Sequence, residues 1–247
     1  MDSAFGNRGS RVIRVYDDIE SLSKAAAECF VEEAKKASQD RGCFSVLLAG
    51  GDTPQRTYQL LAQAPFSSSV PWKHVHLFWG DERCVPLDDP RNNAFIARKM
   101  FIDQISISED QVHPIRADKL PADAAADYEM QLRRFFSDDK PVFDLVILGL
   151  GEDGHTASLF PGTGEYPEDR WVVVTRKAGE DSKRISLTPS VINMASKVLF
   201  LVSGKNKASV VSAVLTGPAD PLRLPAHLIT LPVDRLLWFI DNAAAGS

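Results

Sequence analysis

A histidine at position 155 stands in a glycine-rich run, Leu148-Gly149-Leu150-Gly151-Glu152-Asp153-Gly154-His155-Thr156-Ala157-Ser158-Leu159-Phe160-Pro161-Gly162. Imidazole is the side chain best suited to moving a proton near neutral pH. The run follows Phe143 to Leu148, which is apolar apart from Asp144 and reads as a buried strand. Glycines let a chain leaving a strand turn sharply and approach a ligand closely. Such strand exits are where open α/β sheets carry their chemistry. His155 is the first candidate for a proton-transfer residue.

Four other clusters carry groups suited to binding an anion. Gly50-Gly51-Asp52-Thr53-Pro54 lies between a strand and a helix. Backbone N–H groups at a helix N-terminus bind anions, and glycine removes the side chain that would block approach. The segment lacks the Gly-Lys-Ser/Thr of a Walker loop and the GxGxxG of a dinucleotide site, so it reads equally as a tight turn or as an anion cradle. Gly80-Asp81-Glu82-Arg83 also ends a strand; Arg83 could clamp a phosphate and Asp81 could orient a base or a sugar hydroxyl, or the residues form an ion pair on a loop. Arg184, in Lys183-Arg184-Ile185-Ser186-Leu187-Thr188-Pro189, enters a strand from which it could point into a cleft. Ser203-Gly204-Lys205-Asn206-Lys207-Ala208 puts two lysines at a helix start, where the dipole disfavours them unless one holds an anion.

His74 and His76 could supply half a metal site, but no third ligand is apparent, and they read as structural, as do His113 and His227. No metal site is expected. Cys29, Cys43 and Cys84 show no CxxC spacing; the first two read as small core residues.

The elements that must position these groups alternate between strand and helix. Expected strands are Arg11–Tyr16, Ser45–Ala49, His74–Trp79, Phe143–Leu148, Trp171–Thr175, Lys183–Leu187, Val198–Val202 and Leu236–Ile240, the last closing the sheet. Expected helices begin after Asp17, a candidate N-cap with Glu20 three residues on, and at Thr53-Pro54, Arg91, Pro121, Val191 and Lys207. Near-continuous apolar strands separated by helices predict an α/β protein: a three-layer α/β/α architecture with a mostly parallel, modified Rossmann-like sheet. A single domain over residues 11–242 is expected, with frayed ends at Met1–Ser10 and Ala243–Ser247 and a surface loop from Leu215 to Leu231.

The chain has 247 residues, 44% of them hydrophobic, enough for a full-sized core. Its net charge of −5 argues against a nucleic-acid partner. No apolar run reaches membrane-spanning length, and the N-terminus lacks a signal-peptide core, so a cytoplasmic location is expected.

In series, Gly-Gly-Asp-Thr-Pro, Gly-Asp-Glu-Arg, the His155 run, Arg-Ile-Ser-Leu-Thr-Pro and Ser-Gly-Lys-Asn-Lys-Ala resemble the 6-phosphogluconolactonase family from about Val12 to Ile240. Pro90-Arg91-Asn92-Asn93 is similar to the family's Ser-Asn element, with Asn92 in place of serine. The resemblance implies hydrolysis of 6-phosphoglucono-1,5-lactone to 6-phosphogluconate without metal or organic cofactor. It implies His155 as the base that activates water, with Asp153 shaping the turn or orienting the imidazole. It implies a substrate and phosphate site of Gly50, Gly51, Asp52, Thr53, Asp81, Arg83, Asn93, Gly154, Arg184 and Lys207. The expected partner is a small sugar-phosphate lactone, and the expected state a monomer or weak homo-oligomer. Position 52 is aspartate, where members of the resembled family often carry serine or another residue; because a carboxylate repels phosphate, its side chain is expected to turn outward.

Two related readings are separable. Glucosamine-6-phosphate deaminases are similar in fold but carry a glutamate five residues beyond the histidine, where this chain has Phe160. Sugar-phosphate sensors of similar fold usually carry a DNA-binding helix-turn-helix; only about ten residues precede the first strand here.

Overall fold

The computed structural model describes residues 11–137 and 140–246. A seven-stranded sheet runs through it. Its strands are β1 (Val12–Tyr16), β2 (Phe44–Leu48), β3 (Val75–Trp79), β5 (Val112–His113), β6 (Leu145–Leu148), β9 (Val198–Val202) and β10 (Leu236–Asp241). Their order across the sheet is β1-β10-β9-β6-β2-β3-β5, and every neighbouring pair is parallel. β2, β6, β9 and β10 are buried along their whole length. That pattern requires cover on both faces, which explains why their sequences are apolar without alternation.

The flanking helices are α1 (Ile19–Arg41), α2 (Asp52–Leu61), α3 (Phe66–Ser69), α4 (Asn93–Met100), α5 (Pro121–Phe135), α6 (Pro189–Met194), α7 (Ala208–Thr216) and α8 (Asn242–Ala245). α1 shows how the sequence sets both ends. The Asp18 carboxylate accepts the Ser21 N–H at 2.8 Å, and Gly42 ends the helix with φ 72°. The cap is therefore Asp18 with Ser21, one residue past the expected Asp17 and Glu20. Leu22, Ala26, Phe30 and Ala34 form the buried stripe, and Phe30 packs edge-on against Phe44 of β2 at 5.3 Å. Burying one such phenylalanine contributes roughly 1.5–3 kcal/mol.

Three further expectations need correction. Trp171–Thr175 and Lys183–Leu187 were expected in the main sheet. Instead β7 (Val172–Arg176) and β8 (Lys183–Leu187) join β4 (Asp81–Arg83) in a separate antiparallel sheet, ordered β4-β8-β7. The short link between β7 and β8 permits a hairpin, whereas a parallel pair would need a long crossover. β10 does not close the sheet either; it inserts between β1 and β9, leaving β1 at the edge. Residues 243–246 are likewise not a frayed end. Asp241 caps α8 through the Ala244 N–H at 2.7 Å, and Ala244 is fully buried. The expected frayed segments Met1–Ser10 and Ser247 lie outside the described residues.

From β2 the chain moves outward to β3 and β5, then returns to place β6 on the other side of β2 and moves on to β9. The strand order thus reverses between β2 and β6. In an open parallel sheet, the loops leaving the strand C-termini diverge at such a point and open a crevice. The Gly50 loop leaves β2 there, and the His155 run leaves β6.

Candidate active site

A cavity of about 390 Å³ occupies that crevice. Gly50, Gly51, Asp52, Thr53, Asp81, Arg83, Asn93, His155, Arg184 and Lys207 all line it. Of the residues expected from sequence, Asp153 and Gly154 do not. Asp153 sits behind the histidine, and Gly154, with φ 82°, supports the turn by accepting the Ala226 N–H at 3.0 Å.

The His155 side of the cavity is built by a tight local turn. The Gly151 N–H bonds the His155 carbonyl at 2.8 Å, and the Gly154 N–H bonds the Gly151 carbonyl at 3.0 Å. This fold-back lays the imidazole over Gly151. A Cβ there would sit 2.0 Å from His155 Nδ1, so only glycine fits. The Asp153 carboxylate accepts from His155 Nδ1 and, at 3.1 Å, from the His155 N–H. With Nδ1 donating, Nε2 keeps its lone pair and can take a proton. Burial pushes the Asp153 carboxyl up, but its bonds to His155 and the imidazole charge outweigh this and hold it down to about 2. Asp153 therefore remains an anion wherever His155 works. The Phe160 ring packs 5.1 Å from the imidazole and is 4% exposed.

The opposite side is assembled from distant segments. α2 starts at the cavity wall with Gly51 as its cap residue, φ 86° and no side chain in the way. A Cβ on Gly50 would lie 2.1 Å from Asn93 Oδ1, so the glycine gives Asn93 its place. Asn93 in turn accepts from Arg83 at 2.9 Å and donates to the Asp81 carbonyl at 2.9 Å. Asn92 caps α4, accepting the Phe95 N–H at 2.9 Å. The exposed Asp52 carboxylate accepts from Gln55 at 3.2 Å.

The small sheet brings in Arg184. The β4–β8 register sets Arg83 opposite Arg184. Two guanidinium groups bordering one cavity repel each other and favour an anion between or beside them. Arg184 is 8% exposed, and its carbon Cζ lies 5.9 Å from the centre of the Phe160 ring. Lys207 lines the cavity from a helical turn, while the exposed Lys205 does not. Asp241 fixes that turn by accepting from Ser203 and, at 3.1 Å, from the Gly204 N–H.

A family model described as glucosamine-6-phosphate isomerases/6-phosphogluconolactonase matches residues 17–238. The chain belongs to this family. A 6-phosphogluconolactonase of Synechocystis sp. is 39% identical, the match covering 90% of this chain and 92% of that protein. One from Nostoc sp. is 37% identical, covering 95% and 97%. The solved 6-phosphogluconolactonase of Trypanosoma cruzi superposes with a TM-score of 0.84 at 28% identity, covering 96% of each chain.

Within this glucosamine-6-phosphate isomerase/6-phosphogluconolactonase chain, several supporting residues escaped the sequence reading. Glu82 is fully buried and accepts the N–H groups of Arg83 at 2.8 Å, Asn93 at 2.8 Å and Ala94 at 3.0 Å. Burial outweighs those bonds and pushes its carboxyl up to about 7. A carboxylate just after an apolar strand was the available signal; its partners are tertiary. Ser158 donates to Asp81 Oδ2 at 2.5 Å, tying the histidine run to β4. Ala157 takes φ 47°, a left-handed conformation uncommon for a residue with a Cβ. Asn206 donates to Glu152 at 2.6 Å, joining the lysine turn to the same run.

The other histidines have protein partners. His74 meets the Gly42 carbonyl at 2.9 Å, His76 and His113 pair at 3.0 Å, and His227 links Asp220 to Val214. Burial pushes His113 down to about 4. Among the described residues, no three His, Cys, Asp or Glu side chains group as a metal site. Cys29, Cys43 and Cys84 are free and only partly buried.

Proposed function

We infer that this chain is a 6-phosphogluconolactonase, hydrolysing 6-phosphoglucono-1,5-lactone to 6-phosphogluconate in the pentose phosphate route. The observation that carries the reading is the pairing of one aspartate-anchored imidazole with a wall of anion-binding groups across a single cavity. In this reading the phosphate lies against the α2 N-terminus, Arg184 and Lys207, which leaves the lactone toward His155. Asp81, Arg83 and Asn93 border the space between.

The chemistry follows from what a lactone needs. His155 Nε2 takes a proton from water as the water oxygen bonds to C1. The carbonyl electrons move onto oxygen, and when they return the bond from C1 to the ring oxygen breaks. The imidazolium gives its proton to that oxygen, which becomes a hydroxyl, and the new acid ionises to a carboxylate. Asp153 holds the imidazole and stabilises its charged form. Phe160 has no proton to exchange, so the carboxylate that ring-opening deaminases use at that position is missing here.

A cytoplasmic, monomeric or weakly associating enzyme without nucleic-acid partners completes the proposal. Its net charge of −5 and its free cysteines are consistent with that setting.

The test is a coupled assay that generates the lactone freshly, with glucosamine 6-phosphate as control substrate. Turnover of the lactone alone is expected. His155→Ala should lose about 10²- to 10⁴-fold in kcat, the usual worth of a positioned base, while still binding 6-phosphogluconate. Wild-type turnover in that variant removes His155 from the mechanism.

A further inference from the structure

Arg184 is the most enclosed cation bordering the cavity, and its Nε has no hydrogen-bond partner among the described residues. The guanidinium is nonetheless held at one corner. Its terminal NH2 nitrogen donates to the carboxylate of Glu180, in the turn between β7 and β8. That turn is closed by its own bonds: the Glu180 N–H to the Lys177 carbonyl at 3.1 Å, and Arg176 Nε to the Glu180 carbonyl at 3.2 Å. The second carboxylate oxygen lies 3.4 Å from Lys177 Nζ. Glu180 also lines an outer cleft that shares Gly51, Asp52, Arg83 and Arg184 with the catalytic cavity.

We propose that Glu180 sets the affinity of the phosphate subsite, as a tethered carboxylate that competes with the substrate's phosphate for Arg184. The proposal rests on the reading of Arg184 as a phosphate ligand. The carboxylate engages one donor of the guanidinium and leaves Nε unmatched. A phosphate dianion carries more charge and enough oxygens to take Nε and the terminal nitrogen together, so it wins the exchange. Glu180 then keeps Lys177 as its partner, and neither carboxylate nor ammonium is left alone. A lactone without phosphate offers only hydroxyl groups and cannot displace a carboxylate from a guanidinium. The arrangement therefore lowers the affinity for any anion that takes Arg184 and leaves a ligand that does not use it unaffected.

The test is Glu180→Gln, which keeps the shape of the side chain and removes its charge. Steady-state kinetics are measured with 6-phosphoglucono-1,5-lactone and with glucono-1,5-lactone, and inorganic phosphate is titrated as an inhibitor. KM for the phosphorylated lactone is expected to fall about three- to tenfold, the scale of a partly exposed ion pair. The inhibition constant of inorganic phosphate should fall with it, and KM for the unphosphorylated lactone should hold. In an Arg184→Ala background the substitution should have no effect. A KM that is unchanged or raised by Glu180→Gln overturns the proposal and makes Glu180 a positioning residue for Arg184. If Arg184→Ala alone leaves KM unchanged, the assignment of the phosphate site fails as well, a result distinct from failure at Glu180 only.

Discussion

The two walls of the cavity are made in different ways. The His155 wall is local: Gly151, Asp153 and His155 lie within one turn of chain and fix one another through backbone bonds. The opposite wall is tertiary: residues 50–53, 83, 93, 184 and 207 meet only when β2, β4, β8 and β9 are in register. The difference teaches that the geometry around His155 is specified by a short stretch of sequence. The cation-bearing wall is a property of the assembled sheets. Damage to the first should appear in turnover, and damage to the second in substrate binding.

The largest expected effect tests the local wall. Gly151→Ala would put a methyl 2.0 Å from His155 Nδ1 and 2.6 Å from Asp153 Oδ1, so the imidazole must swing away. We expect kcat to fall about 100-fold or more, comparable with losing a positioned base, with KM little changed. A kcat within a few-fold of the parent enzyme would mean that the turn relaxes without moving the ring. Next is the tertiary wall. Arg184→Ala should raise KM roughly ten- to a hundredfold, the worth of a charged hydrogen-bond partner, while kcat changes less. Equal losses in kcat and KM would erase the distinction between the walls.

Much of the local wall was legible beforehand because its signals are sequential: an apolar strand, three glycines and a histidine. The parallel strands were legible for a similar reason, since burial on both faces leaves unbroken apolar runs. β7 and β8 were misassigned because a strand reads alike whichever sheet it joins. β4, which pairs with β8, is three polar residues with no strand-like pattern. Lys205 and Lys207 could not be separated in sequence; a helical turn directs one into the cavity and the other to solvent. Glu82, Ser158 and Asp241 went unrecognised because the bonds that tie them to the site reach Asn93, Asp81 and Gly204, 11, 77 and 37 positions away.

The smallest effect sharpens the comparison by asking what holds the tertiary wall together. Glu82 has a carboxyl pushed up from its ordinary range to about 7, so the folded protein binds its proton more tightly than the unfolded chain does. Stability from this group is full below the unfolded range and declines as pH rises through 7. Thermal unfolding should show roughly 1 kcal/mol less stability at pH 8 than at pH 6 from this source. Glu82→Gln should be less stable throughout, because its amide cannot accept from both Asn93 and Ala94 as the carboxylate does. The decline with pH should nevertheless disappear. An identical slope in both proteins would place the titrating group elsewhere.

Asp241 has a double attachment that matters beyond folding. One carboxylate grips the Ser203–Gly204 turn that presents Lys207 and also starts helix α8, and Gly246, which follows that helix, lies near Ala208 of α7. Helix α8 is thereby geared to Lys207 on the neighbouring strand exit, a lysine that lines the cavity. Changes made at α8 should therefore reach Lys207 through this one carboxylate.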